Sequence, residues 1–312
     1  MVLFLNLSPS RKDIKEMRNA VQKLTILTPT FNLSKLLVNL FKSLQEQTCK
    51  DFVWVVVDDG SEDDTETVVR DLACGELLFK IQFFKKKNGG KHTAINYGIA
   101  KIDTELTMIV DSDDMLAADA VETILNVHRK YGDNKKIGSY SFLRCYKNGM
   151  PVVPIEGNEF IDNYIQYRIK ENHPGDMAEV FMTQILRQYP FPEFAGEKFI
   201  SEDVVWIEIG KSFDTVYLNK SIYICEYLDG GLTANDKPMK FASPLGSMLR
   251  GKQLMLRQNG LMVNIKGAII YNCYAHVNQT NEKILLESNY EKVLVMLMKP
   301  LGMLFLLIWK GR

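Results

Sequence analysis

The stretch Leu106-Thr107-Met108-Ile109-Val110-Asp111-Ser112-Asp113-Asp114 constrains this chain more than any other. A mostly apolar run leads straight into three carboxylates within four positions. The run reads as a strand covered on both faces, as in a parallel sheet. Like charges crowded at a strand end repel unless a cation sits among them. Hard oxygen ligands of this kind suit Mg²⁺ or Mn²⁺, and Mg²⁺ typically shares its shell with substrate phosphates. The stretch therefore points to a divalent metal that holds a nucleotide diphosphate. A solvated acidic turn is the plainer alternative, because Asp and Ser also favour turns and helix N-caps.

The residues before it repeat one plan. Leu24–Thr28 reads as a strand ended by Pro29, and Leu33, Leu36, Leu37, Leu40, Phe41 and Leu44 follow at helical spacing. Asn32 or Ser34 is placed to cap that helix. Phe52–Val57 is a second strand that stops in Asp58-Asp59-Gly60-Ser61, and a helix opens at Asp64 or Thr65. Ile81–Phe84 is a third, followed by Lys85-Lys86-Lys87-Asn88-Gly89-Gly90 and a helix over Lys91–Ala100. Another helix, over Ala117–Tyr131, follows the acidic stretch. Alternating strands and helices with short connections predict an α/β fold, a mostly parallel sheet with helices on both faces. The loops after the strands then gather at one edge, where open α/β sheets bind ligands. The triple lysine by itself reads as a solvated basic turn.

Composition narrows the class. Lys+Arg and Asp+Glu are equal at 38 each, so no global field points to nucleic acid. Hydrophobic residues at 46% exclude a disordered chain. The five cysteines, 49, 74, 145, 225 and 273, form no CxxC pair and suit a reducing compartment. No GxGxxG follows the first strand and no GxxxxGK[ST] occurs, which argues against dinucleotide and P-loop sites. A receiver domain would account for only the first part of the chain. Residues 1–22 read as an N-terminal extension, whose apolar start Met1–Leu7 lacks a basic n-region and is too short for a signal peptide. Met17 is a rival start within it, and an amphipathic arm is the other reading.

The quoted loops, taken together, resemble family 2 of the nucleotide-sugar glycosyltransferases with the GT-A fold. The matching pieces are Thr28-Pro29-Thr30-Phe31-Asn32, Val57-Asp58-Asp59-Gly60-Ser61, Asn88-Gly89-Gly90 with Asn96 and Gly98, Asp111-Ser112-Asp113-Asp114 and Ser201-Glu202-Asp203. Any one of them is weak, but their common order over residues 23–235 is specific. The resemblance implies a GT-A catalytic domain there and a hexosyl- or N-acetylhexosaminyltransferase. It implies a UDP-sugar donor, a saccharide or lipid-linked saccharide acceptor, and Mn²⁺ or Mg²⁺. It assigns Thr28, Pro29, Thr30, Asp59, Asn88, Lys91, Asp111 and Ser112 to the donor site, with Asp59 accepting the uracil N3–H. Asp113 and Asp114 fall to the metal and Asp203 to the base that deprotonates the acceptor. Ser201 is placed to cap the helix that Asp203 opens. Tyr227–Thr233 resembles the family's loop over the diphosphate, and neither His173 nor His276 is assigned to the metal. A sugar-phosphate nucleotidyltransferase and a non-catalytic scaffold are the rival classes. The first would want a glycine-rich loop after the first strand, and the second should have lost the base or a metal carboxylate.

Residues 236–312 form a separate, helical C-terminal region. Its end, 292–312, holds Lys292, Lys299, Lys310 and Arg312 and no acid around two apolar runs, split by Lys299-Pro300. Neither run reaches the ~20 residues of a membrane span. An interfacial segment seated on an anionic inner leaflet fits the basic flanks, and packing on the catalytic domain or a partner is the alternative. The expected place is the cytoplasm, peripheral on the inner face of the plasma membrane.

Overall fold

In the computed structural model, the described residues are 22–173, 175–225, 236–280 and 282–310. The first half follows the expected plan. Strands β1 (Leu24–Thr30), β2 (Phe52–Asp58), β3 (Lys80–Lys85) and β4 (Leu106–Ile109) alternate with helices α1 (Ser34–Gln45), α2 (Thr65–Ala73) and α3 (Lys91–Ile99). They form the parallel run β3-β2-β1-β4 of one sheet. Every residue of β1 and β2 is buried, as central strands covered on both faces must be. Thr30 lies beside Asp58, and Asp58 beside Lys85, so these strands end together at one edge.

Beyond β4 the sheet becomes mixed. After β5 (Met115–Leu116) and α4 (Ala120–Tyr131) come β6 (Ile137–Cys145), β7 (Glu159–Asn163), β8 (Met177–Met182), α5 (Thr183–Gln188), α6 (Asp203–Gly210) and β9 (Asp214–Ile224). β8 lies antiparallel between β4 and β6, β9 runs parallel to β6, and β5 and β7 both pair antiparallel with β9. The acidic stretch therefore leaves a strand with a parallel neighbour on one side and an antiparallel one on the other.

Three local expectations change. Pro29 does not end β1, which runs on to Thr30. Its missing N–H is harmless because the β1–β4 ladder stops at the Leu27–Ile109 pair, leaving Pro29 beside β2 alone. Neither Asn32 nor Ser34 caps α1 with its side chain. Asn32 sits at φ 54, and its Oδ1 accepts the Glu62 N–H at 2.8 Å, tying the β1 loop to the β2 loop. The Ser34 N–H goes instead to Asp63 at 3.0 Å. Lys299-Pro300 does not break the last helix, for reasons given below.

The C-terminal helices are α7 (Asp236–Ala242), α8 (Pro244–Leu254), α9 (Leu261–Val277) and α10 (Asn289–Lys310). They share a core of their own around Leu245, Met248, Ala268, Cys273, Leu294 and Leu306. Leu294 and Leu306, on either side of Pro300, are both buried in that core, which holds α10 as one helix across the proline. The cost of the missing hydrogen bond is offset by packing on both flanks.

Gly90, which precedes α3, shows how tightly the loops are set. It takes φ +97, and a Cβ there would collide with the Lys198 carbonyl oxygen of the chain leading into α6. Gly90→Ala is therefore expected to cost roughly 2–5 kcal/mol, from backbone strain and overpacking together. Chemical denaturation of the variant against wild type measures this.

Candidate active site

Asp59, at the end of β2, is a hub. It is buried, and its two carboxylate oxygens receive four donors. Oδ1 accepts the Lys86 ammonium at 2.7 Å and the Gly89 N–H at 3.0 Å. Oδ2 accepts the Gly90 N–H at 2.7 Å and the Asn88 amide at 3.2 Å. A carboxylate has about four lone-pair sites, so Asp59 is saturated. The expected solvated lysine turn is corrected at Lys86, while Lys85 and Lys87 stay exposed. Lys86 also donates to the Lys87 carbonyl and the Thr93 hydroxyl, each at 2.7 Å, while Lys85 reaches Ser61 O at 3.0 Å. Two buried carboxylates, Asp58 and Asp59, draw these lysines in.

Thr28 is wholly buried beneath this loop, where its hydroxyl accepts the Trp54 indole N–H at 3.0 Å. Pro29 is buried beside it in β1. Thr30, at the strand's end, has a buried hydroxyl without a hydrogen-bond partner among the described residues.

Lys91 opens α3 and joins the second half of the site. Its ammonium lies 2.5 Å from Asp111 Oδ1 and 2.8 Å from Glu202 Oε1. Burial alone would lower its pKa, but the two carboxylates outweigh burial and raise it well above the usual lysine range. Asp111 is likewise opposed by burial and yet held below the ordinary carboxylate value by Lys91 and Arg144. Its N–H donates to the Tyr223 hydroxyl at 3.1 Å, which itself donates to Asp114 Oδ2 at 2.7 Å. The Arg144 guanidinium lies over the Tyr223 ring at 4.3 Å. Ser112 is buried within this turn.

Asp113 and Asp114 differ from Asp111 in charge balance. Burial and then the neighbouring Asp111 charge push both up, Asp114 to about 6. Both carry the hard oxygen donors that Mg²⁺ or Mn²⁺ prefers. No group of three His, Cys, Asp or Glu side chains among the described residues is arranged to hold a metal. His173, left unassigned above, stacks on Tyr167 at 4.1 Å.

Asp203 begins α6. Ser201 does not cap this helix with its side chain; its hydroxyl donates to Asp203 Oδ1 at 2.6 Å. Oδ2 accepts Arg250 Nε at 2.5 Å. Lys91 thus brings the Asp111 turn next to Glu202, whose chain neighbour is Asp203. The Tyr227–Thr233 loop lies outside the described residues.

Sequence reasoning did not single out Arg144, Glu179, Tyr223 and Arg250. Arg144 carried a usable signal, since it is the one charge in the strand Ile137–Cys145. Glu179 stands in the equally apolar β8 and lines a small cavity beneath α6 with Tyr164 and Trp206. Tyr223 and Arg250 carry no local mark, because their partners are far away in sequence.

The mixed sheet, with acids and glycines at the ends of its parallel strands, is the architecture of a GT-A nucleotide-sugar enzyme. Residues 25–174 match the model of Glycosyl transferase family 2. Glycosyltransferase GlyA of Streptococcus pneumoniae serotype 4 is 27% identical over 206 residues, covering 65% of this chain and 28% of that protein. The GalNAc(5)-diNAcBac-PP-undecaprenol beta-1,3-glucosyltransferase of Campylobacter jejuni is 28% identical over 213 residues, 65% of this chain and 62% of that protein. The chain thus spans less than two thirds of either relative. Among solved structures, S. aureus TarS 1-349 in complex with UDP-GlcNAc has the same fold, with a TM-score of 0.60 at 17% identity over 89% of this chain and 79% of that one.

Glu179 has a consequence for stability. Burial raises its carboxyl to about 7, with Arg168 and Arg144 opposing and Glu202 and Asp176 adding to the shift. The folded state then holds this proton more tightly than the unfolded chain does. Its contribution to stability is present below about pH 4 and is lost as pH rises through 7. Glu179→Gln should therefore raise stability at pH 8 by roughly 2–3 kcal/mol and leave it unchanged at pH 4. Urea titrations of both proteins at the two pH values read this directly.

Proposed function

We propose that this chain is an inverting glycosyltransferase that moves a hexosyl or N-acetylhexosaminyl group from a UDP-sugar to a saccharide acceptor, lipid-linked or polymeric, in surface-polysaccharide assembly. The observation that carries the reading is the Lys91 bridge. One half-buried ammonium joins Asp111, from the metal-type turn, to Glu202, next to the carboxylate in the position of a base. Donor and acceptor chemistry need that proximity. The UDP-GlcNAc complex of TarS and the lipid-linked substrate in the name of the Campylobacter relative support the donor and acceptor classes. A nucleotidyltransferase would want a glycine-rich loop where this chain has Thr28–Asn32. A scaffold should have lost Asp113, Asp114 or Asp203, and this chain keeps all three.

On the donor side, Asp59 is tied to the end of β1, its N–H donating to the Thr30 carbonyl at 2.9 Å, and to the Asn88 amide. A uracil imide N–H reaches the saturated Asp59 carboxylate only by replacing a donor. Lys86 is the one to leave, since Gly89 and Gly90 donate from the backbone. Lys91 meets the diphosphate between the two motifs. A divalent cation held by Asp113 and Asp114 would neutralise charge on the departing diphosphate. On the acceptor side, Asp203 takes the hydroxyl proton as that oxygen bonds to C1 opposite the leaving group. The bond from C1 to the phosphate oxygen breaks and UDP departs, which inverts the anomeric centre.

The same reading places the protein at an anionic membrane through α10. One face of this helix is buried at Leu294, Gly302 and Leu306. The opposite face exposes Met296, Leu297, Leu304 and Leu307. Lys292 and Lys299, two turns apart and both exposed, border it, and no acid follows Glu291. No described helix is long and apolar enough to cross a membrane. A helix with a packed face and a bare apolar face edged by lysines suits a lipid surface.

Two experiments test these readings. Asp203→Asn should leave UDP affinity nearly unchanged while UDP release from UDP-GlcNAc or UDP-glucose, supplied with Mn²⁺ and acceptor, falls roughly 10²- to 10⁴-fold. Loss of UDP binding in parallel with rate would move Asp203 to the donor site. For the membrane contact, the Leu304→Glu, Leu307→Glu double variant should no longer sediment with phosphatidylglycerol-containing vesicles that pull down the wild type. Equal sedimentation of both would remove α10 from the contact.

A further inference from the structure

We infer that Arg250, on the C-terminal helix α8, is the positioning residue for Asp203, so that the C-terminal helices complete the catalytic site. The inference rests on the assignment of Asp203 as base. Both oxygens of that carboxylate are anchored from different elements. Ser201 holds Oδ1 at 2.6 Å from its own loop, and Arg250 holds Oδ2 at 2.5 Å from α8. Two anchors on opposite oxygens fix the plane of the carboxylate. Each oxygen keeps a second lone-pair direction, and that is where an acceptor hydroxyl can deliver its proton.

Arg250 is delivered to this place by more than its own side chain. The N-terminus of α8 is fastened to the chain before α6, with the Leu245 and Gly246 N–H groups donating to the buried Glu197 carboxylate at 2.6 and 3.0 Å. One turn beyond Arg250, Gln253 donates to Val204 O at 2.9 Å and to Glu208 Oε1 at 2.7 Å, both on α6. Gly246 lets the two segments approach, since a Cβ there would lie 2.5 Å from Ile200 Cδ1. α8 is therefore held against the base helix on both sides of Arg250. Its ion pair with Asp203 is partly shielded, with the two side chains 27% and 18% exposed. Charge-assisted hydrogen bonds in such a setting orient the acceptor group firmly. For a base that must meet a hydroxyl within a narrow range of geometries, orientation accounts for a large part of the rate.

A tether that merely holds the C-terminal helices in place would act independently of Asp203. A positioning residue acts through it, and a double-mutant cycle separates the two. The assay is UDP release from UDP-GlcNAc or UDP-glucose, whichever the wild type turns over, with UDP affinity and Tm measured alongside. Arg250→Gln is expected to lower kcat by roughly 10- to 100-fold with UDP affinity within about two-fold of wild type, and Arg250→Lys to recover part of the loss. In the Asp203→Asn background, Arg250→Gln should change the rate by less than about two-fold. The inference is overturned if Arg250→Gln keeps near-normal kcat, or lowers the rate by the same factor in both backgrounds. If Arg250→Gln does not fold, the same cycle with Arg250→Lys decides between these outcomes. Failure of the underlying reading looks different: the wild type then binds no UDP, or Asp203→Asn keeps full rate.

Discussion

The site depends on one half-buried cation. Lys91 stands where α3 begins, against the acidic turn after β4 on one side and the start of α6 on the other. Without its charge, Asp111 and Glu202 would face each other as partly shielded anions with nothing between them to offset their repulsion. With it, three segments far apart in sequence share a single electrostatic balance. Lys91 offsets Asp111 and Glu202, whereas Asp113 and Asp114 keep raised pKa values through burial and the nearby Asp111 charge.

The donor loop follows a similar logic with backbone groups. Asp59 gathers two consecutive N–H groups, an amide and an ammonium, and so converts a glycine-rich turn into a defined cradle. The loop can approach this closely only because Gly60 and Gly90 adopt positive φ. A Cβ at Gly60 would lie 2.8 Å from the Asn88 nitrogen. Asn96, one turn further into α3, extends the order outward. It exchanges hydrogen bonds with the Phe191 N–H and carbonyl at 2.8 Å each, fixing the aromatic turn that packs against Trp206 on α6. Donor loop, aromatic turn and base helix are therefore one connected framework.

What could be read in the sequence divides along this framework. The parallel half was legible because its signals are local: a period of two or a continuous apolar run for strands, a period near four for helices, and Asp or Gly where each strand ends. The same signals misjudged Pro29, whose tolerance depends on where a neighbouring strand stops, and Lys86, which is drawn out of the lysine turn by Asp59. Asn32 read as a cap by residue type, yet it serves as a bridge between loops because the β2 loop lies within reach. Arg250 and Tyr223 were invisible for the same reason. A residue that acts across a fold has no pattern around it, only a partner, and the partner is known once the chain is folded.

The C-terminal helices follow from this argument. Were they an appended anchor alone, α8 would need only apolar contacts with the α/β layer. Instead it exchanges polar groups with the segment around the base: Glu197 takes its N-terminal N–H groups, Gln253 reaches two groups on α6, and Arg250 meets Asp203. Hydrogen bonds of this kind specify a register, which an oily contact would leave loose. Farther out, α9 packs between α8 and α10, and α10 leaves its opposite face apolar and bare. The stack thus links that bare apolar face, through three packed helices, to the Asp203 carboxylate, the proposed base. For an acceptor tethered to a lipid, the distance from the bilayer to the reacting hydroxyl is set by such a stack, and a rigid register is then worth more than a flexible linker of the same length.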